Sequence, residues 1–251
     1  MSPHTRACGS DPPWRWQSWA MAAPVPQQTS AEARSLCVVG VDVGGERKGF
    51  HAVALRGGGL QGRHTTSDAA ELAQWCRSLG ARVIGVDAPC RWSADGRARP
   101  AERELMADGI QCFASPSRER ALEHPSNYYG WMLRGEALYR ALEPSHLLAS
   151  GLPSPGQRCC FETFPHAITC ELHRSLGLER AAASRKRLQR RALLELCGLD
   201  CDQLSSIDWI DAALCALAAD QAARGGPCRV YGEVSSGVLI VPTQVPSRLN
   251  P

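Results

Sequence analysis

The chain has 251 residues, of which 44% are hydrophobic and 21% are charged, and its formal net charge at pH 7 is +3. This length suits one sizeable α/β domain or two small ones. No apolar run approaches the roughly 20 residues that a membrane-spanning helix needs, so we expect no membrane partner. The mild positive charge permits a polyanionic partner but does not argue for one.

Residues 1–35 differ in composition from the rest of the chain. They are rich in Pro, Ser, Gln and Ala and show no periodicity. We predict a disordered leader there, a folded domain over residues 36–243 and a tail over 244–251. No apolar segment precedes the small residues 20–26, which argues against a secretion signal. Met1 and Met21 both stay open as the start of the protein.

Three strands and a helix open the predicted domain. Apolar, β-branched runs predict strands over residues 36–43, 50–55 and 60–65, separated by glycine-rich turns. Asp68 and Glu71 have capping-box spacing, and Gly80 ends the apolar stripe that follows them. We therefore expect a helix between the third strand and a fourth strand over residues 82–87.

The remainder mixes loops, helices and short strands. An insertion over about residues 90–158 is loop-rich and contains helices near 102–107 and over 129–142, then a linker-like loop over 144–156. We expect a fifth strand over 160–164, helices over 185–196 and 205–223, and two short strands at 229–231 and 238–241. The order indicates an α/β fold with a mixed five-stranded central sheet, in which a three-strand antiparallel unit joins parallel strands between flanking helices.

Two of the predicted strands end in the same way, with the sequences Val39-Gly40-Val41-Asp42 and Ile84-Gly85-Val86-Asp87. If these strands are parallel neighbours, both carboxylates reach one edge of the sheet. Buried carboxylates need a partner, and converging carboxylates are the ligands that a hard divalent cation prefers. The alternative for each aspartate is a structural role in the turn that follows its strand.

Asp211 is the third candidate metal ligand. It lies on the apolar face of the last long helix, whose predicted core stripe includes Ile207, Ile210 and Leu214. Asp208, one turn earlier, is a further candidate for the site. Its alternative is an acid at the start of the helix, with Ser205 as the N-cap.

Glu162 is the fifth candidate for the site and lies within the predicted fifth strand. The alternative is a solvated side chain on an alternating strand. His166, which follows this strand, could assist proton transfer, but a lone histidine there is more often structural.

In combination these residues resemble the ribonuclease H-like superfamily, and more narrowly the domain of unknown function 429 family, a predicted nuclease family with that fold. The resemblance covers about residues 36–243. Its segments are Gly40-Val41-Asp42 with Gly45, Gly85-Val86-Asp87-Ala88-Pro89, Arg99-Pro100-Ala101-Glu102-Arg103, Phe161-Glu162-Thr163-Phe164-Pro165-His166, Asp208-Trp209-Ile210-Asp211-Ala212 and Gly237-Val238-Leu239-Ile240-Val241-Pro242.

The resemblance implies a nuclease that hydrolyses phosphodiester bonds with two Mg²⁺ or Mn²⁺ ions. Asp42 is then expected to bridge the ions, while Asp87 and Asp211 each complete one coordination sphere. Glu162 or Asp208 is expected to fill the remaining position.

Basic residues are the expected contacts to nucleic acid, either DNA or RNA. Four of them crowd the predicted helix near residues 185–196, and one lies in the insertion: Arg185, Lys186, Arg187, Arg190 and Arg118. The alternative for the helix is an ordinary solvated face. Tyr128, Tyr129 and Trp131 could stack on bases, although core packing is the simpler interpretation.

Two other function classes stay open. Sugar kinases and actin-like ATPases also begin with a strand followed by Asp-x-Gly-Gly, which resembles Asp42-Val43-Gly44-Gly45. They duplicate the fold over a longer chain, whereas only one copy is visible here. The third class is a non-catalytic binding module that kept the fold.

The 12 cysteines show no paired CxxC motifs with the spacing of a zinc site. Several of them fall inside apolar predicted elements. We therefore expect free, buried thiols and a reducing, cytoplasmic location.

Overall fold

The computed structural model describes residues 35–246. Within that range a single mixed sheet contains eight strands in the order β3-β2-β1-β4-β6-β8-β7, with β5 paired to β6. The strands are β1 Cys37–Val43, β2 Phe50–Arg56, β3 Gly59–Thr66, β4 Val83–Asp87, β5 Leu147–Leu148, β6 Cys159–Glu162, β7 Cys228–Glu233 and β8 Gly237–Pro242.

The strand directions follow the predicted pattern. The first three strands form antiparallel pairs, β4 is parallel to β1, and β6 is parallel to β4. The mixed α/β class is therefore confirmed. The predicted count of five strands is too small, because β7 and β8 join the same sheet and a two-residue strand, β5, lies in the predicted linker at 144–156.

The α-helices of the described range lie on both faces of the sheet. They are α1 Ala69–Ser78, α2 Pro100–Ala107, α3 Arg118–Glu123, α4 Gly130–Leu142, α5 Pro165–Ser175, α6 Lys186–Leu196 and α7 Ile207–Ala223. Helices α1 and α4 pack on the odd-numbered side chains of β1, such as Val39 and Val41. Helices α2, α5, α6 and α7 contribute to the core on the opposite face, with Val38 and Phe161.

Local sequence explains most helix ends, with some differences from prediction. Asp68 caps α1 by accepting from the N–H groups of Ala70 and Glu71, but the Glu71 side chain contacts Thr66 and His64 instead of completing a capping box. The N-cap of α7 is Ser206, whose hydroxyl accepts from Trp209 N–H, and it lies one residue after Ser205, the N-cap in the alternative interpretation of Asp208.

Helix α7 is buried on nearly every side from Ile210 to Ala223. A single core stripe was predicted, but α5 and α6 also pack against this helix, so its outer residues are covered as well. The sequence patterns did not predict α3 or α5. Helix α5 begins with Pro165. Proline fits the first turn of a helix because the N–H groups of that turn have no acceptor within the helix, so nothing is lost when one is absent.

In the part of the chain that the structure describes, no helix is both long and apolar enough to cross a membrane. All cysteines between residues 35 and 246 are free thiols, as expected. The predicted leader lies outside the described residues except for residue 35, and so does the predicted tail except for residues 244–246.

Candidate functional site

Asp42 and Asp87 are direct neighbours in the sheet. Strands β1 and β4 are parallel, and their register pairs Gly40 with Gly85 and Asp42 with Asp87. Side chains two residues apart on a strand share a face, so both aspartates lie on the face where the two glycines meet α7. The sequence expectation that the two carboxylates reach one edge of the sheet is therefore met in the structure.

The two glycines bring α7 against the sheet. A Cβ atom built on Gly40 would lie 2.0 Å from the backbone nitrogen of Ala216, and one built on Gly85 would lie 2.5 Å from the carbonyl oxygen of Cys215. Only glycine permits this approach between a strand and a helix backbone. The same packing places Asp211, one turn before Cys215, beside the two strand ends. The charge of Asp211 accordingly contributes to the raised pKa values of Asp42 and Asp87.

Burial and mutual repulsion raise the pKa of each of these carboxyl groups. Burial, followed by the charges of Asp211 and Asp208, raises the pKa of Asp42 to about 7. Burial and the charge of Asp42 raise the pKa of Asp87 well above its usual range. Burial also raises the pKa of Asp211, although the adjacent Arg190 opposes that shift. The protein thus holds three acids where ionised carboxylates are unfavourable.

Two cations face this group of acids. Arg190 of α6 is buried and donates to Asp211 Oδ1 at 2.5 Å, and Lys48 of the β1–β2 loop donates to Asp208 Oδ1 at 2.7 Å. Arg190 was predicted to contact substrate, but the structure places its guanidinium in this ion pair, away from solvent. We call Asp42, Asp87, Asp208 and Asp211 the aspartate cluster.

The aspartate cluster has the chemistry of a cation site without a finished coordination shell. Within residues 35–246 the hydrogen bonds and ion pairs to these side chains reach Asp208 and Asp211, and none reaches the carboxylates of Asp42 or Asp87. Four carboxylates therefore face two cations. Over the same range, no three His, Cys, Asp or Glu side chains are already arranged to hold a metal ion. The donor type and the uncompensated charge fit Mg²⁺ or Mn²⁺.

Glu162 belongs to a different set of contacts. It is the register partner of Val86, so strand alternation directs it to the opposite face from Asp87. Both of its oxygens accept from the guanidinium of Arg99, at 2.6 and 2.9 Å, and Oε2 also accepts from Cys90 N–H. Its charge still adds the weakest of the named repulsions on Asp87. The structure therefore brings four of the five predicted acids together and leaves Glu162 beside them.

The other predicted substrate contacts lie on the surface. Arg118 pairs with Glu136, and Arg185 pairs with Glu179. Lys186 and Arg187 are exposed at the start of α6. Lys186 is near enough to the aspartate cluster to lower the pKa of Asp211. Lys186 is thus the predicted basic residue best placed to meet a phosphate at the cluster, while the guanidinium of Arg187 donates to the carbonyl of Ser205.

Sequence reasoning missed three residues around the site. Lys48 and Arg99 have ion-pair partners more than 60 residues away in the chain, and no local pattern shows such a pair. His51 is the register partner of Asp42 on β2, and its ring packs edge-on against Trp209 at 5.0 Å between centroids. Its Nδ1 is buried without a hydrogen-bond partner in the described structure. The sequence signal for His51 is a polar side chain on the second predicted strand, at the position that pairs with Asp42.

The glycine pair after Asp42 closes a tight loop. The N–H of Gly44 donates to the carbonyl of Gly49, and a Cβ on Gly44 would lie 2.6 Å from the Cβ of Lys48. Loop closure therefore explains the glycine at position 44. At Gly45 a Cβ would meet no atom within 4 Å. The kinase or ATPase alternative depends on Gly44 and Gly45, and loop closure accounts for Gly44 without a bound nucleotide.

A protein-family model, described as protein of unknown function (DUF429), matches residues 40–235. No curated protein and no solved structure matches the chain. The matched range covers well over half of the 251 residues and contains the whole aspartate cluster. The resemblance expected from the sequence motifs is confirmed: the chain belongs to the DUF429 family.

Proposed function

We propose that this protein is a metal-dependent nuclease with a ribonuclease H-like fold, which hydrolyses phosphodiester bonds of DNA or RNA. The observation that carries the proposal is the in-register pair Asp42 and Asp87 with Asp211 packed beside it. The strand order β3-β2-β1-β4-β6, with its antiparallel unit followed by parallel strands, supports the fold assignment. A reducing, cytoplasmic location belongs to the same proposal, because the described cysteines are free thiols.

Each residue of the site has a distinct task in this proposal. Asp42, Asp87 and Asp211 hold two Mg²⁺ or Mn²⁺ ions, which supply Lewis acidity and an activated water when bound. Arg190 holds the Asp211 carboxylate in place through its ion pair. Lys48 fastens the β1–β2 loop to Asp208 at the start of α7. The exposed Lys186 and Arg187 attract the phosphate backbone.

The charge of the aspartate cluster explains why a metal ion belongs there. Ionising all four carboxylates leaves an excess of negative charge that Arg190 and Lys48 do not cancel. Burial first, and this excess charge second, raise the pKa values of Asp42 and Asp87. A bound divalent cation neutralises the excess negative charge. Metal binding therefore competes with protons for these carboxylates.

The test is a hydrolysis screen with Mn²⁺ or Mg²⁺ on single-stranded, duplex and branched DNA and RNA. We expect metal-dependent cleavage of at least one substrate by the wild-type protein and none by Asp42→Asn, which keeps the side-chain volume and removes the charge. The matched control is Asp202→Asn, because Asp202 is 87% exposed and pairs only loosely with Arg191. This control should cleave like the wild type.

Three outcomes contradict the nuclease proposal. Unchanged turnover in Asp42→Asn places the activity elsewhere. Metal binding without cleavage of any substrate favours a non-catalytic binding module. Thermal stabilisation by ATP with Mg²⁺, without any response to nucleic acid, favours the kinase or ATPase alternative.

A further inference from the structure

A small cavity of about 60 Å³ opens beside Asp87 and has mostly apolar walls. Its lining includes Phe113, Trp131, Met132 and Phe164. Asp87 belongs both to this lining and to the aspartate cluster. The cavity therefore borders the proposed metal site at Asp87, on the side of the insertion that contains α2, α3 and α4.

Glu162 and Glu102, the two glutamates that line the cavity, already have their hydrogen-bond donors, whereas Asp87 of the aspartate cluster accepts none from residues 35–246. Glu162 accepts from Arg99 and from Cys90 N–H. Glu102 accepts from Arg99 and from both the N–H and the hydroxyl of Ser115. Neither glutamate needs a ligand to complete its hydrogen bonds. The cavity thus offers an apolar aromatic contact and no obvious pattern of donors and acceptors for reading a particular base.

Phe113 stands at the mouth of this cavity with 74% of its surface exposed. Phe113 and Asp87 line the same cavity, so this exposed ring is accessible to a ligand that approaches Asp87. The segment that carries it is anchored two residues later, where the fully buried Ser115 binds Glu102. This anchor restricts the backbone that carries Phe113 before any ligand arrives, which lowers the entropy cost of a contact.

Size limits what can enter. A volume of about 60 Å³ accommodates about two water molecules and cannot enclose a flat heterocycle. A ring can instead lie against the exposed face of Phe113 with one edge directed into the cavity toward Trp131. A base within an intact duplex is already stacked and paired, so it cannot make this contact unless it is unpaired.

We propose that Phe113 and the cavity behind it form a stacking site for one unpaired nucleobase, next to the phosphate that approaches Asp87. This inference rests on the proposed nuclease function and specifies its substrate as a strand with an unpaired nucleotide at the site. Because Glu162 and Glu102 are occupied and Asp87 is assigned to the metal ions, the site accepts any base, and purines bind more tightly than pyrimidines through their larger stacking surface.

The test measures binding in EDTA, so that it does not depend on metal or turnover. The probes are a fluorescein-labelled single-stranded 12-nucleotide DNA and the same strand with abasic residues, which has equal phosphate charge. We expect Phe113→Ala to weaken binding of the base-containing strand about tenfold and to leave the abasic strand unchanged. Phe113→Tyr keeps the ring and should restore wild-type affinity. Leu147→Ala is the matched control, because Leu147 is 65% exposed and lies in β5 outside the cavity lining.

Equal losses for both probes in Phe113→Ala, or no loss for either, overturn the inference. Failure of the wild-type protein to prefer the base-containing strand over the abasic strand overturns it as well. The nuclease proposal is judged separately, by Mn²⁺-dependent cleavage of the same strands. A protein that cleaves but does not discriminate the probes keeps its proposed function and loses this site. A protein that discriminates them without cleaving keeps the site as a binding function.

Discussion

Two groups of buried and half-buried acids lie side by side at the same edge of the sheet, and they differ in how they are neutralised. Glu162 and Glu102 surround Arg99, and backbone N–H groups and a hydroxyl complete their hydrogen bonds. In the aspartate cluster, Asp42 and Asp87 accept no hydrogen bond from residues 35–246, and their pKa values rise. We call the first group the Arg99 network.

The difference separates the structural role of the Arg99 network from the role that we propose for the aspartate cluster. A buried carboxylate with a full set of donors fixes the surrounding chain, and here the Arg99 network attaches the insertion to β6. A buried carboxylate without donors costs stability unless something else binds it. Glu162 appeared in the sequence as one more acid at a strand end. The identity of its hydrogen-bond donors is what distinguishes it from Asp42.

The largest expected effect breaks the Arg99 network. Arg99→Met leaves Glu162 and Glu102 buried without their cation, so we expect a loss of about 3–5 kcal/mol in the free energy of unfolding. The measurement is urea denaturation at pH 7. Arg118→Met is the control, because the Arg118 side chain is 40% exposed in its pair with Glu136 and its removal should cost less than about 1 kcal/mol. Similar losses in the two variants would refute the view that burial makes the Arg99 network structural.

A smaller effect should follow from moving α7 away from the sheet. A Cβ at Gly40 meets the backbone of Ala216 at 2.0 Å, so Gly40→Ala should destabilise the protein by about 1–3 kcal/mol or more and displace Asp211. We expect weaker Mn²⁺ binding by calorimetry in this variant. Gly45→Ala is the matched control, because its Cβ meets no atom within 4 Å. Wild-type Mn²⁺ affinity in a folded Gly40→Ala protein would show that the close approach of α7 does not build the site.

The third effect is a dependence of the melting temperature on pH, which sharpens the contrast between the aspartate cluster and the Arg99 network. The pKa of Asp42 is about 7 in the folded protein and near 3.8 when unfolded, so the folded state holds a proton that the unfolded chain has released. The melting temperature of the metal-free protein should therefore fall as the pH rises from about 4 through 7. Asp42→Asn should flatten this slope, and thermal melts across the range would measure it. An equally steep slope in the variant would assign the effect to other groups.

The sequence alone determined the mixed α/β class, the family and the residues of the aspartate cluster. The apolar, β-branched runs that end in Asp42 and Asp87 predict buried strands, and this pattern can be recognised from a few consecutive residues without knowledge of the fold. The approximate bounds of α2, α4, α6 and α7 followed from periodicity for the same reason. The ribonuclease H-like assignment and the metal chemistry stay proposals.

Only the tertiary structure decided which charged residues meet. The partners of Glu162, Asp208 and Asp211 lie 63, 160 and 21 residues away in the chain, and local spacing carries no information about such pairs. Arg190 looked like one more basic residue on an amphipathic helix, yet the packing of α6 on α7 buries it against Asp211. Gly40 and Gly85 show the same limit of prediction from local sequence. Their positions in the Gly-Val-Asp repeats are visible in the sequence, but the helix backbone that requires them is brought there by the fold.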